Sequence, residues 1–195
     1  MGYAIAEAAL AAGHHVTLIS GPVNFQAPRE AKLISLSTSD EMFEAVHRHA
    51  NQCDICVLCA AVSDYKPANI SLTKIKKRSE KFSLELIPTR DILDSLGRLE
   101  HRQFVLVGFA AETDHVEENA ANKLRAKHSD IMVANDVSGA DSGMESDVNE
   151  VTILFRNGDR ERISRAPKKI IAGELVKIFL DFATKTFDKK NVMIN

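Results

Sequence analysis

The chain has 195 residues, 45% of them apolar and 27% charged, with a formal net charge of −2. That size and balance suit one globular domain with a full core, and a charge so near zero offers no field to draw nucleic acid or an anionic membrane surface. No stretch approaches the roughly 18 apolar residues of a transmembrane helix and no secretory leader opens the chain. The expected setting is therefore the cytoplasm, with neither nucleic acid nor membrane as partner.

In chain order, residues 2–12 read as an Ala-rich helix closed by Gly13. A strand follows over His15–Ile19, ended by Ser20-Gly21-Pro22, and a second over Ala31–Leu36. Thr38 and Glu41 have the spacing of a capping box and start a helix running to about His49. Asp54–Ala60 is the next strand, residues 82–87 are extended, and Asp91–Leu99 is a short helix. Gln103–Phe109 is a strongly apolar strand, His115–Lys127 a helix, and Asp130–Ala134 a strand ending in Asn135-Asp136. A polar loop is expected over Ser138–Asn149, then a hairpin over 150–163 turning at Asn157-Gly158, then a long helix over Lys168–Phe187.

Alternating strand and helix predicts an α/β fold: a mostly parallel sheet covered by helices on both faces in three layers, extended by the C-terminal β-hairpin and long helix. The whole chain, 1–195, reads as a single domain. It opens on a helix where a doubly wound domain opens on a strand and a Gly-rich phosphate loop, so a first strand is expected to be missing ahead of Met1.

The cysteines at 53, 56 and 59 have the spacing of a metal motif. Alternation along a strand sends Cys56 to the face opposite Cys53 and Cys59, and no fourth ligand completes a zinc set. They are expected to be reduced structural thiols.

Parallel strands present their carboxyl ends on one edge, and three of these ends carry small or polar residues: Ala60-Ala-Val-Ser-Asp64, Gly108-Phe-Ala-Ala-Glu-Thr113 and Ala134-Asn-Asp-Val137. Together they outline a cleft in which a ligand can approach the main chain, with Phe109 available to a base or ribose. Lys74, Lys76 and Lys77 follow the first of them, a composition suited to polyphosphate. Asp64 and Glu112 are open between an acid–base pair, a metal-binding carboxylate and a ribose-binding one. Lys123 and Lys127, four apart, share a helix face.

Ala60-Ala-Val-Ser-Asp-Tyr65, Lys74-Ile-Lys-Lys77, Gly108-Phe-Ala-Ala-Glu-Thr113 and Ala134-Asn-Asp-Val137, in this order, closely resemble the phosphopantothenoylcysteine synthetase family. The resemblance implies a Rossmann-like fold, a homodimer with the 150–163 hairpin at its interface, and a ligase coupling 4′-phosphopantothenate to cysteine. The carboxylate would be activated by CTP as an acyl-cytidylate, with Mg²⁺ accompanying the triphosphate. Lys74 matches the catalytic lysine on the triphosphate. The implied nucleotide-binding set is Ala60, Asp64, Lys74, Thr89, Arg90, Asp91, Phe109, Lys123 and Lys127. Ala61 and Asn135 fall to the substrate, and Asp64 to the metal.

Two departures accompany the resemblance. The family's first strand, its Ser-Ser-Gly-Lys phosphate loop and an asparagine that acts on the acyl-cytidylate all belong ahead of Met1. The family's Asn/Thr-Pro-Asp-Ile stretch is here Thr89-Arg90-Asp91-Ile92, with arginine in place of proline. A nucleotide-binding or dimerisation module without turnover is the alternative. A nicotinamide or flavin oxidoreductase is disfavoured, because no Gly-x-Gly-x-x-Gly is present.

Overall fold

The computed structural model describes residues 1–71, 73–77, 81–112, 114–136 and 147–191, of which Asp136 and 188–191 are described by their backbone alone. The elements are α1 (Gly2–Ala11), β1 (Thr17–Ser20), β2 (Lys32–Ser35), α2 (Ser39–Ala50), β3 (Ile55–Leu58), β4 (Tyr65–Pro67), β5 (Leu86–Pro88), α3 (Ile92–Gly97), β6 (Val105–Glu112), α4 (Val116–Ala126), β7 (Ile131–Asp136), β8 (Val148–Phe155), β9 (Arg160–Pro167) and α5 (Lys168–Asn191).

Local signals act as expected where they are self-contained. The Thr38 hydroxyl accepts from the Glu41 N–H at 3.2 Å, and the Glu41 carboxylate returns a bond to the Thr38 N–H at 2.9 Å, closing the capping box of α2. Gly158 turns the β8–β9 hairpin at φ +94°, which a side chain would strain. That hairpin outruns its expected bounds, because cross-strand pairing reaches from Leu154–Arg160 back to Val148–Pro167. The loop expected before it lies over residues 138–146 outside the described residues.

The central sheet has the order β3-β6-β7-β8-β9. Its β3, β6 and β7 run parallel, while β8 and β9 continue antiparallel beyond β7. One face packs on α1 and α5 through Val105, Val107, Ile131, Val133, Ile153, Ile171, Leu175 and Phe179. The other packs on α2, α3 and α4 through two smaller clusters, one centred on Leu96 and Leu106, the other on Ala120 and Met132. This is the three-layer arrangement expected of the alternation. Ile171, Leu175 and Phe179 recur every four residues on α5 and are 0–2% exposed. Each such side chain contributes roughly 1.5–3 kcal/mol.

The expected single sheet is divided. β1 and β2 form a parallel pair of their own, without a ladder to β3. Yet Ile19 of β1 and Cys56 and Leu58 of β3 pack in the same apolar layer under Met42, Phe43 and Val46 of α2. On the opposite face, the Tyr3 and Ser20 hydroxyls bond at 2.9 Å, and Gly2 abuts Cys59. The two strands therefore share helical cover on both sides but no main-chain bonds. β3 shows the consequence: apolar throughout, it is only half-buried, whereas β6 is buried from Val105 to Gly108.

The thiols correct one expectation. Cys53 precedes β3, so strand alternation does not govern it, and its thiol meets that of Cys56 while also donating to the Ala50 carbonyl at 3.1 Å. That contact, with burial second, pushes the Cys56 thiol well up, while the same contact lowers Cys53. No group of three or more metal-ligating side chains occurs among the described residues, and all three cysteines are free thiols.

Candidate functional site at the carboxyl edge of the sheet

The ends of β3, β6 and β7 gather where the sequence placed a cleft, with one change. β6 does not stop at Phe109 but runs to Glu112, because its pairing with β7 continues through Ala110↔Ala134, Ala111↔Asn135 and Glu112↔Asp136. Ala110 is consequently 2% exposed and unavailable to a ligand. Phe109 and Asn135 are half-buried and Ala111 is exposed. Gly108 has a packing reason: a Cβ there would stand 2.8 Å from Leu93 of α3 and 3.0 Å from Met132 of β7.

Beyond β3, Ala60, Ala61 and Asp64 are exposed. Asn135 Oδ1 is buried with no partner among the described residues, so it is an acceptor held ready at the strand edge. Glu112 Oε1 lies 2.6 Å from Lys123 Nζ as an ion pair, although the contact lacks hydrogen-bond alignment. Lys127 reaches along α3 to Asp91 Oδ2 at 2.7 Å, while Asp91 Oδ1 caps α3 by accepting from the Asp94 N–H at 2.8 Å. Both lysines assigned from sequence to the nucleotide thus rest on carboxylates of neighbouring elements.

The lysine stretch lies on an arm. β4 and β5 pair antiparallel over three residues each, and the described residues 68–71, 73–77 and 81–85 lie between them along the chain. Lys74 is exposed, and no hydrogen bond or ion pair links it to Ala60, Phe109 or Asn135 among the described residues. At the arm's root, the Thr89 N–H donates to the Asp64 carbonyl at 2.9 Å and its hydroxyl to the Ser63 carbonyl at 2.6 Å. Arg90 turns toward α2. Its Nη1 lies 2.7 Å from Glu44 Oε1, and its guanidinium sits 3.9 Å over the Phe43 ring.

Sequence reasoning missed the most heavily bonded carboxylate among the described residues. Asp130, at the opposite edge where β7 begins, accepts from Arg102 and Arg156 at 2.7 Å each and from the Leu106 N–H at 2.8 Å. Its partners stand 24 to 28 residues away, beyond any local pattern.

A three-layer α/β arrangement with small and polar residues at the carboxyl edge of its parallel strands defines a Rossmann-like domain. More specifically, the chain belongs to the DNA/pantothenate metabolism flavoprotein C-terminal domain family, whose model matches residues 1–182. It is 39% identical over 190 residues to the coenzyme A biosynthesis bifunctional protein CoaBC of Bacillus subtilis, covering 97% of this chain and 47% of that protein. The namesake from Haemophilus influenzae is 39% identical over 187 residues, covering 95% and 46%. The chain thus spans about half the length of the curated relatives it matches. Among solved structures, the C-terminal domain of a CoaBC protein superposes with a TM-score of 0.76 at 33% identity, covering 95% of this chain and 82% of that one.

Proposed function

We propose that this domain is the ligase that joins 4′-phosphopantothenate to L-cysteine in coenzyme A biosynthesis, with CTP as the activating nucleotide. Family membership supports the reading. The observation that carries it is the gathering of exposed small residues, Ala60-Ala61 and Ala111, at the carboxyl ends of the parallel strands β3 and β6, together with an exposed Lys74 on the segment between β4 and β5.

The chemistry suits these parts. A carboxylate resists attack by an amine, so its oxygen first attacks the α-phosphorus of CTP, forming an acyl-cytidylate and releasing pyrophosphate. The cysteine amine then attacks the acyl carbon, CMP leaves with the bonding electrons, and the amine proton passes to solvent. Such transfer depends on positioning and neutralisation of phosphate charge. Lys74 would supply the charge, and an arm closing over the cleft would keep water from the reactive intermediate. The exposed main chain at Ala60 and the Phe109 ring would receive the base, and Asn135 Oδ1 would accept from the pantothenate or cysteine portion. Mg²⁺ enters with the triphosphate. One exposed carboxylate, Asp64, fits it, since Mg²⁺ is commonly held by one or two carboxylates together with substrate phosphates.

The divided sheet supports a further part of this reading. A strand supplied ahead of α1 would lie between β1 and β3, pair with both open edges and deliver its carboxyl end at the amino end of α1, where a phosphate loop belongs. A homodimer through the β8–β9 hairpin and a cytoplasmic location complete the assignment; free thiols at all three cysteines suit a reducing compartment. No helix among the described residues is long and apolar enough to cross a membrane.

The test uses a chain extended at its amino end by the strand and phosphate loop. With MgCTP, 4′-phosphopantothenate and cysteine it should release pyrophosphate, and Lys74→Gln should abolish release while leaving the melting temperature unchanged. A folded, extended chain that binds CTP without turnover would instead establish a nucleotide-binding module. The open edges of β1 and β3 are what would favour that second reading for the domain alone.

A further inference from the structure

Among its described residues, the arm that carries Lys74 has little to hold it in place. Ile70, Ile75, Phe82 and Leu84 are 81, 57, 66 and 56% exposed, and a three-residue, two-stranded ladder is marginal by itself. Its orientation is therefore set where it joins the domain, and there both of its strands reach the same carboxylate. Lys66 of β4 is ion-paired with Asp40 of α2. Arg90, two residues after β5, places Nε 3.4 Å from Asp40 Oδ1 and donates from Nη2 to the Asp40 carbonyl at 3.3 Å. Its remaining nitrogen holds Glu44 at 2.7 Å, and its plane lies over Phe43. The helix that receives these contacts is itself fixed, by its capping box and by the buried Met42, Ala45 and Val46. Phe43 stacks on His47, whose Nε2 bonds to Ser95 Oγ of α3 at 2.8 Å.

The geometry points to Arg90 as a positioning residue: with Asp40 and Lys66 it clamps both strands of the arm's root to α2 and sets how Lys74 is presented to the cleft. Only the catalytic consequence rests on the ligase reading; the clamp stands on the contacts alone. The guanidinium is suited to the task because its planar fork engages two carboxylates and a ring at once, which an ammonium does not. Half-exposed ion pairs add little to global stability, so the clamp acts on the arm rather than on the fold.

Amide hydrogen exchange tests it without substrate. The reporters are the Ala68 and Thr89 N–H groups, which bond across the root to Glu85 and Asp64 at 3.0 and 2.9 Å. Arg90→Met and Asp40→Asn should each raise exchange at both sites by about tenfold or more with the melting temperature unchanged, and Arg90→Lys should recover part of the protection. In the extended chain, Arg90→Met should lower kcat about tenfold while KM for phosphopantothenate stays within about twofold. Unchanged root exchange in Arg90→Met overturns the clamp, and weakened CTP binding alongside it would make Arg90 a direct nucleotide ligand. Faster exchange with unaltered kcat overturns the positioning role. If the parent chain shows no turnover, the ligase reading fails, while the exchange data still decide the clamp.

Discussion

Two carboxylates in this molecule each bridge two cations, and they serve opposite ends of the sheet. Asp130 lies between Arg102 and Arg156 with its side chain 4% exposed, and it also binds the Leu106 N–H. Asp40 lies between Lys66 and Arg90 with its side chain 45% exposed. The chemistry is the same and the setting differs. Around Asp130 the sheet is continuous and covered on both faces, so the ion cluster is part of the core. Around Asp40 the partners lie in and just beyond the short β4–β5 ladder beside a divided sheet, so the cluster fixes the root of an exposed segment. Burial decides which of the two a salt bridge can do: out of water, a broken pair leaves a charge unsolvated, whereas at the surface water replaces the partner at little cost.

The contrast can be broken by mutation. The largest expected effect is Asp130→Ala, which deprives Arg102, its side chain 12% exposed, of this counter-charge. A loss of about 3–5 kcal/mol in urea unfolding is expected, and a loss below about 1 kcal/mol would place Asp130 in the same category as Asp40. The converse substitution, Asp40→Asn, should leave the urea midpoint where it is and be visible instead in exchange at the arm's root. A clear drop in that midpoint would show that the arm contributes to the core.

The smallest effect concerns pH. Burial holds the His47 imidazole below its ordinary value of 6.5, with Arg90 adding to the shift and Glu44 opposing it. Because the folded-state pKa is depressed, folding disfavours the protonated form. Stability is complete above 6.5 and declines as pH falls from there toward the lowered folded value. His47→Gln should flatten the melting temperature between neutral pH and that lower value; an unchanged slope would show that the ring stays solvated. Asp40 behaves in the usual carboxylate sense: Lys66, and secondarily Arg90, lower its pKa, so the clamp persists on acidification below 3.8 until its own folded value is passed.

Much of the fold was legible because its signals are local. The capping box of α2, the Gly158 turn and the apolar run of β6 each depend on residues within a few positions of one another. The ends of elements were less so. β6 and β9 both run past their expected limits, since the neighbouring strand supplies hydrogen bonds that propensity does not record. Within the site, Ala60, Ala61, Asp64 and Asn135 were read from strand ends and lie at the expected edge. Ala110, placed by the same reasoning in the cleft, is buried by that extra pairing. Arg90 stood out as the arginine in place of the resembled family's proline, within the implied nucleotide-binding set, but its direction was invisible, because Asp40 and Glu44 stand 50 and 46 residues away. Cys53 was misread for a simpler reason: it lies outside the strand whose alternation was applied to it.

The sequence by itself determined the α/β alternation, the gathering of small and polar strand ends on one edge of the sheet and the chemical character of the residues there, because periodicity and residue type carry that information along the chain. Tertiary structure alone decided that β1 and β2 stand apart from the main sheet, that Asp130 anchors the far edge and that Arg90 faces α2. Each of these depends on groups brought together from distant segments, where burial and available partners, rather than sequence neighbours, set the free energy.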